Sequence, residues 1–108
     1  MNQISFVNKK TELLFNELEY GRYEDKRLYN WLESAFKNLK DNIDAGIRIP
    51  KKLWPIEYIQ NYNITNLWKY NLPQGWRLIY TIETNEIRVI AIIIEWFDHK
   101  GYERKFNY

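Results

Sequence analysis

Apolar residues recur every three or four positions in the first half of the chain and every two in the second half. That change of period predicts helices first and strands afterwards. Leu14 and Leu18, with Leu13 and Phe15 beside them, predict a helix over residues 11–20, and Gly21 is a natural stop. Leu28, Leu32, Ala35, Phe36, Leu39 and Ile43 form a longer stripe. It predicts a helix over residues 24–45, ended by Gly46 as a C-cap. Ile4-Ser5-Phe6-Val7 alternates weakly and suits a short strand ahead of both helices.

Pro50 and Pro55 interrupt the next segment, and residues 56–62 suit one or two helical turns with Pro55 at the first position. Residues 67–72, 76–82 and 87–94 then read as three consecutive strands, separated by turns at Pro73-Gln74-Gly75 and Glu83-Thr84-Asn85-Glu86. Connections this short make an antiparallel meander, because a parallel neighbour needs a crossover. The strand over 87–94 is apolar on both faces and is expected at the centre of the sheet. Residues 98–106 predict a terminal helix with Asp98 as its N-cap. The expected fold is α+β in two layers, with N-terminal helices packed on an antiparallel three- to four-stranded sheet.

Length and composition narrow the setting. The 108 residues suit one domain over 1–108. The absence of cysteine excludes disulfides and thiolate metal sites and suits a reducing cytoplasm. The opening residues lack the apolar core of a signal peptide, and the apolar run from Val89 to Ile94 is far short of a membrane helix. A cytoplasmic protein without a membrane segment is expected. A net charge of +2 is too small to argue for nucleic acid unless the cations cluster. Aromatic residues make up 18% of the chain, more than a core of this size hides, so some are available to stack on bases or a partner.

The polar chemistry collects in the second half. If Pro73-Gln74-Gly75 is a three-residue loop, Leu72 faces Trp76. Trp68, Tyr70, Leu78 and Tyr80 then share one face of the sheet, while Lys69, Asn71 and Arg77 share the other. A two-residue loop would part Lys69 from Arg77. The same alternation equally describes solvated positions on a half-exposed sheet. His99 is the only histidine, the residue type suited to acid or base work near neutral pH, so it is the natural candidate for that role; its plainer reading is a surface or capping residue. Arg104 and Lys105 also suit the C-terminal end of a helix. One histidine and scattered carboxylates lack metal-ligand spacing. The chain has neither a Gly-rich phosphate loop nor a G-x-S-x-G elbow.

The run from Asn66 through Ile82, with Gly75-Trp76-Arg77-Leu78-Ile79-Tyr80 at its centre, resembles the hairpin of the RelE/ParE toxin superfamily. In that family a strand ending in Lys or Arg leads through a Gly turn into aromatic-Arg-hydrophobic-hydrophobic-Tyr. The following Ile-rich strand and His99-Lys100-Gly101-Tyr102 resemble its last strand and its basic, Tyr-bearing C-terminal segment. The likeness covers residues 66–104, and before that it is one of architecture only. Leu67 stands where ribosome-dependent members often carry a second lysine, and Trp96-Phe97-Asp98 replaces a Gly- and Arg-bearing approach.

The resemblance implies a toxin of a type II toxin-antitoxin system, held silent by a cognate antitoxin protein, that cleaves mRNA on the ribosome without metal or small-molecule cofactor. A ribose 2′-OH would attack the adjacent phosphate. The implied catalytic set is Lys69, Arg77, His99 and Tyr102. Arg77 holds the phosphate, Lys69 adds charge or acts as base, His99 carries a proton, and Tyr102 stacks on or orients the nucleotide. Lys100 and Arg104 would contact the RNA. The same scaffold also serves a ParE-like toxin that inhibits a topoisomerase, and a catalytically eroded domain that binds RNA or protein.

Overall fold

The structure is a computed structural model in which residues 2–107 are described; Met1 and Tyr108, the ends of the expected domain, lie outside the described residues. The order of elements is β1 (Asn2–Phe6), α1 (Lys9–Leu18), α2 (Tyr23–Asp41), β2 (Ile47–Arg48), α3 (Ile56–Tyr62), β3 (Trp68–Asn71), β4 (Arg77–Thr84), β5 (Val89–Phe97) and α4 (His99–Phe106). Single helical turns lie at Lys51–Leu53 and Pro73–Gly75. No helix among the described residues is long and apolar enough to cross a membrane.

The α+β class and the β3–β4–β5 meander hold. The sheet, however, has five strands in the order β1-β5-β4-β3-β2, with β1 parallel to β5 and the other pairs antiparallel. The expectation of an all-antiparallel sheet of three or four strands behind leading helices is corrected in strand count, in the parallel pairing and in the helix-led order. The short strand expected around residues 4–7 is present as β1, and the α1–α2 hairpin lies on the long return path that its parallel partner needs. The two-residue β2 is too short to show alternation in a sequence.

The two-layer expectation is also corrected, because helices cover both faces of the sheet. Adjacent strand residues point into different cores, as period-two pleating requires. Leu78, Tyr80 and Ile93 pack with Phe15, Leu32 and Phe36 of α1 and α2. Ile79 and Ile94 pack with Ile49, with Tyr58 of α3 and with Tyr102 and Phe106 of α4. The short α3 and α4 supply few apolar positions, so their patterns do not announce a third layer. β5 lies between β1 and β4 with both faces covered, as its unbroken apolar run implies.

Helix α2 ends at Asp41, four residues short of its expected end, and Gly46 is not its cap. Gly46 instead permits a close approach. A β-carbon placed there would lie 2.6 Å from both the Lys69 carbonyl oxygen and the Tyr80 hydroxyl. Tyr80 ties the intervening loop down: its hydroxyl donates to the Ile43 carbonyl at 3.0 Å and accepts from the Gly46 N–H at 3.1 Å.

Candidate anion-binding site

The β3–β4 hairpin fixes the register of the candidate residues. The Leu72 N–H donates to the Trp76 carbonyl at 2.9 Å across the 73–75 turn, and the ladder pairs Asn71 with Arg77 and Lys69 with Ile79. Lys69, Asn71 and Arg77 therefore share one face, as a three-residue loop requires. The turn uses two left-handed residues, Gln74 at φ 56° and Gly75 at φ 80°. At the other end of the hairpin Asn66 acts as a clamp. Its side-chain amide donates to the Ile82 carbonyl and its Oδ1 accepts from the Ile82 N–H, each at 2.8 Å. Trp68 Nε1 donates to the same Oδ1 at 3.1 Å.

Helix α4 covers this face. The Asp98 carboxylate caps it by accepting from the Gly101 N–H at 2.7 Å. Tyr102 and Phe106 stack with ring centroids 4.7 Å apart. Lys105 reaches Glu57 of α3 at 2.7 Å and Glu95 of β5 at 3.7 Å. The Tyr58 hydroxyl donates to Glu95 at 2.7 Å, and burial together with that carboxylate drives the phenol's pKa far up. These ties hold α4 to α3 and β5 and so set where Tyr102 meets the hairpin.

Two cations converge on that ring. Lys69 Nζ lies 5.1 Å from the Tyr102 ring centroid and Arg77 Cζ lies 5.8 Å from it. Both distances are in the cation–π range. The ring itself is only 3% exposed, so it serves as a support beneath the cations rather than an open stacking platform. Among the described residues neither cation has an ion pair. Arg77 Nη1 donates to the Trp76 carbonyl at 3.1 Å, but its Nε is buried without a partner. Two half-buried positive charges and an unspent buried donor make a site that a multi-oxygen anion would complete.

The remaining candidates divide. His99 is exposed at the first turn of α4, next to the hairpin turn: a β-carbon on Gly75 would lie 3.2 Å from His99 Cβ. Its Nε2 is 3.1 Å from Glu103 Oε1. Lys100 and Arg104 each stand two residues from the buried Tyr102, on the outer side of α4, where they line a separate shallow depression with Glu103 and Asn107. The fold thus gathers Lys69, Arg77 and Tyr102, sets His99 at their rim, and leaves Lys100 and Arg104 outside. No group of three or more potential metal-ligating side chains occurs among the described residues.

Protein-family models, curated proteins and solved structures were compared with this chain, and none matches.

One neighbouring feature is not legible in the sequence. An open groove of about 440 Å³ lies beside β3, lined by Lys69, Tyr70 and Asn71 of that strand and by Asn38, Asp41 and Asn42 from the end of α2. Alternation along β3 accounts for Asn71 on the face of Lys69 and Arg77. The α2 residues stand some thirty positions earlier in the chain, and Asn38 meets the strand on the face of Tyr70, opposite Lys69 and Arg77.

Proposed function

We propose that this chain is a metal-independent endoribonuclease toxin that cuts mRNA on the ribosome and is restrained by a protein antitoxin. The observation that carries the reading is the convergence of Lys69 and Arg77, neither with a carboxylate partner among the described residues, on one buried ring. The hairpin motif that resembles the RelE/ParE superfamily contributes both residues.

The chemistry needs an anion holder and a proton carrier. The 2′-oxygen of a ribose attacks the adjacent phosphorus, the bond from phosphorus to the 5′-oxygen of the next nucleotide breaks, and a 2′,3′-cyclic phosphate remains. Arg77 and Lys69 hold the non-bridging oxygens and stabilise the extra charge of the phosphorane. His99, oriented by Glu103 at 3.1 Å, relays the proton of the attacking 2′-hydroxyl to the departing 5′-oxygen at the rim of the site. Tyr102 holds the two cations in place. An antitoxin segment would silence the protein by covering Arg77.

Induced expression in growing cells, with 5′-end mapping of mRNA, tests the reading. Codon-linked cuts and growth arrest are expected for the wild type. Losing one charge-stabilising contact should slow cleavage by about a hundredfold or more in Arg77→Ala. Growth arrest with DNA damage and intact mRNA would replace the nuclease with a topoisomerase inhibitor. Normal growth with the wild type would leave an RNA- or protein-binding domain without catalysis.

A further inference from the structure

The face that carries Lys69 and Arg77 continues past β3. Ile47 of β2 pairs directly with Lys69, and residues directly opposite in an antiparallel pair point to the same side of the sheet. Ile47 is 51% exposed, an apolar side chain beside a cation at the sheet's outer strand. Two residues on, about 7 Å along an extended strand, Ile49 enters the core beneath α3 and α4, and its N–H donates to the Leu67 carbonyl at 2.8 Å. Trp54 returns to that point: its Nε1 donates to the Ile49 carbonyl at 2.9 Å, and its ring is half-buried against the same core. Between the two lies the single turn Lys51–Leu53, closed by the Leu53 N–H on the Pro50 carbonyl at 2.9 Å. Ile49, Leu53 and Trp54 pack inward, which leaves Lys51 and Lys52 exposed. Neither lysine has an ion pair among the described residues.

We infer that this succession is a track for single-stranded RNA, on which Lys51 and Lys52 hold a phosphate away from the reacting one and a base between them rests on Ile47. From α4 outward the order is two cations, Arg77 and Lys69, then the apolar step of Ile47 and Trp54, then two more cations. A single strand alternates phosphates with apolar base faces, and cations spaced by exposed apolar side chains match that alternation. An acidic protein surface has the charge without the alternation. The outermost strand β2 is only two residues long, so RNA reaches the track from the side of the sheet. The track rests on the proposed nuclease only in taking the anion at Lys69 and Arg77 as a phosphate of RNA.

Fluorescence anisotropy of the full chain with a labelled, unstructured RNA of about ten nucleotides, the scale of a single-strand site, tests it without requiring catalysis. A 2′-O-methyl backbone keeps the RNA intact during titrations at several salt concentrations. The double variant Lys51→Ala, Lys52→Ala should bind about tenfold more weakly at low salt, and its log-affinity against log-salt slope should be shallower by about 1.4, or 0.7 per lysine. Both side chains are exposed, and a circular-dichroism melt checks that the variant folds. Lys37→Ala with Lys40→Ala removes two exposed lysines of α2 from the opposite face, and should keep the slope and an affinity within about twofold of the wild type. Equal losses in the two double variants, an unchanged slope in the first, or no binding by the wild type at low salt would each overturn the track. An aspartate decapeptide that binds as tightly as the RNA, through the same two lysines, would also overturn it and assign the surface to an acidic protein. If the wild type cuts mRNA while the first double variant keeps the wild-type slope, the track falls and the nuclease stands. A slope that depends on Lys51 and Lys52 in a protein that cuts no mRNA keeps the track and removes the nuclease.

Discussion

Lys69 and Arg77 sit diagonally on neighbouring strands and share the ring of Tyr102, at 5.1 and 5.8 Å. Diagonal neighbours on one sheet face are about 7–8 Å apart at their backbones. The ring is thus what lets two like charges settle close together. Replacing Tyr102 by leucine keeps an apolar filler but removes the quadrupole. Each cation–π contact at a partly buried site is worth roughly 0.5–2 kcal/mol. Tyr102→Leu should therefore weaken binding of a short single-stranded RNA by about tenfold, beyond any loss of stability. Binding titrations at a temperature where both proteins remain folded check this. Unchanged affinity would mean that the cations hold their places without the ring.

Arg77 also carries an energetic cost. Its Nε is buried without a partner, and its charge adds to that of Lys69. An unsatisfied buried polar group costs about 1–3 kcal/mol. Arg77→Met keeps the long apolar stem and removes both penalties, so it should leave stability unchanged or raise it by about 1 kcal/mol while RNA binding falls. The salt dependence of single-strand binding should become shallower by about 0.7 per charge removed. Denaturant titrations and affinities at several salt concentrations measure both. A marked loss of stability would make Arg77 a structural residue.

What is legible in the sequence follows from the range of the interactions. Period-two alternation around Gly75 places Lys69, Asn71 and Arg77 on one face, because a hairpin pairs residues close in sequence. Asp98 announces α4 for the same reason, since a cap acts within one turn. The pairing of β1 with β5 joins Asn2 to Val89, and no local pattern encodes it. Gly46 has the appearance of a helix stop because helix ends favour glycine, whereas its cause is a hydroxyl from β4 thirty-four positions away. Tyr102 can be placed on a helix but not beneath two cations, since that depends on how α3 and β5 hold α4.

Tyr80 makes stability sensitive to alkali. Burial pushes its pKa up to about 12, although the hydrogen bond from the Gly46 N–H pulls it partly back. An unfolded tyrosine titrates near about 10. The folded value is the higher one, so the folded chain keeps a proton that the unfolded chain releases. The associated stability is complete below about pH 10 and declines as pH rises toward 12. Denaturant midpoints should drop over that window more steeply in the wild type than in Tyr80→Phe. At pH 7 the variant should be less stable by about 1–3 kcal/mol, because Ile43 and Gly46 lose their partner. Parallel slopes in the two proteins would assign the alkaline loss to other groups, Tyr58 first among them.

Gly75 links the hairpin turn to His99. It adopts φ 80°, and an added β-carbon would meet His99 Cβ at 3.2 Å. A left-handed backbone costs a residue with a side chain about 1–2 kcal/mol, and the contact requires a shift of a few tenths of an ångström. Gly75→Ala should therefore lose about that much stability and also displace the first turn of α4. If His99 carries the proton, cleavage should fall by more than the unfolded fraction explains, and the imidazole resonances should move. Lys100→Ala lies on the outer side of the same turn and serves as the control, with His99 undisturbed. Cleavage by Gly75→Ala that tracks the folded fraction alone would separate His99 from the reaction.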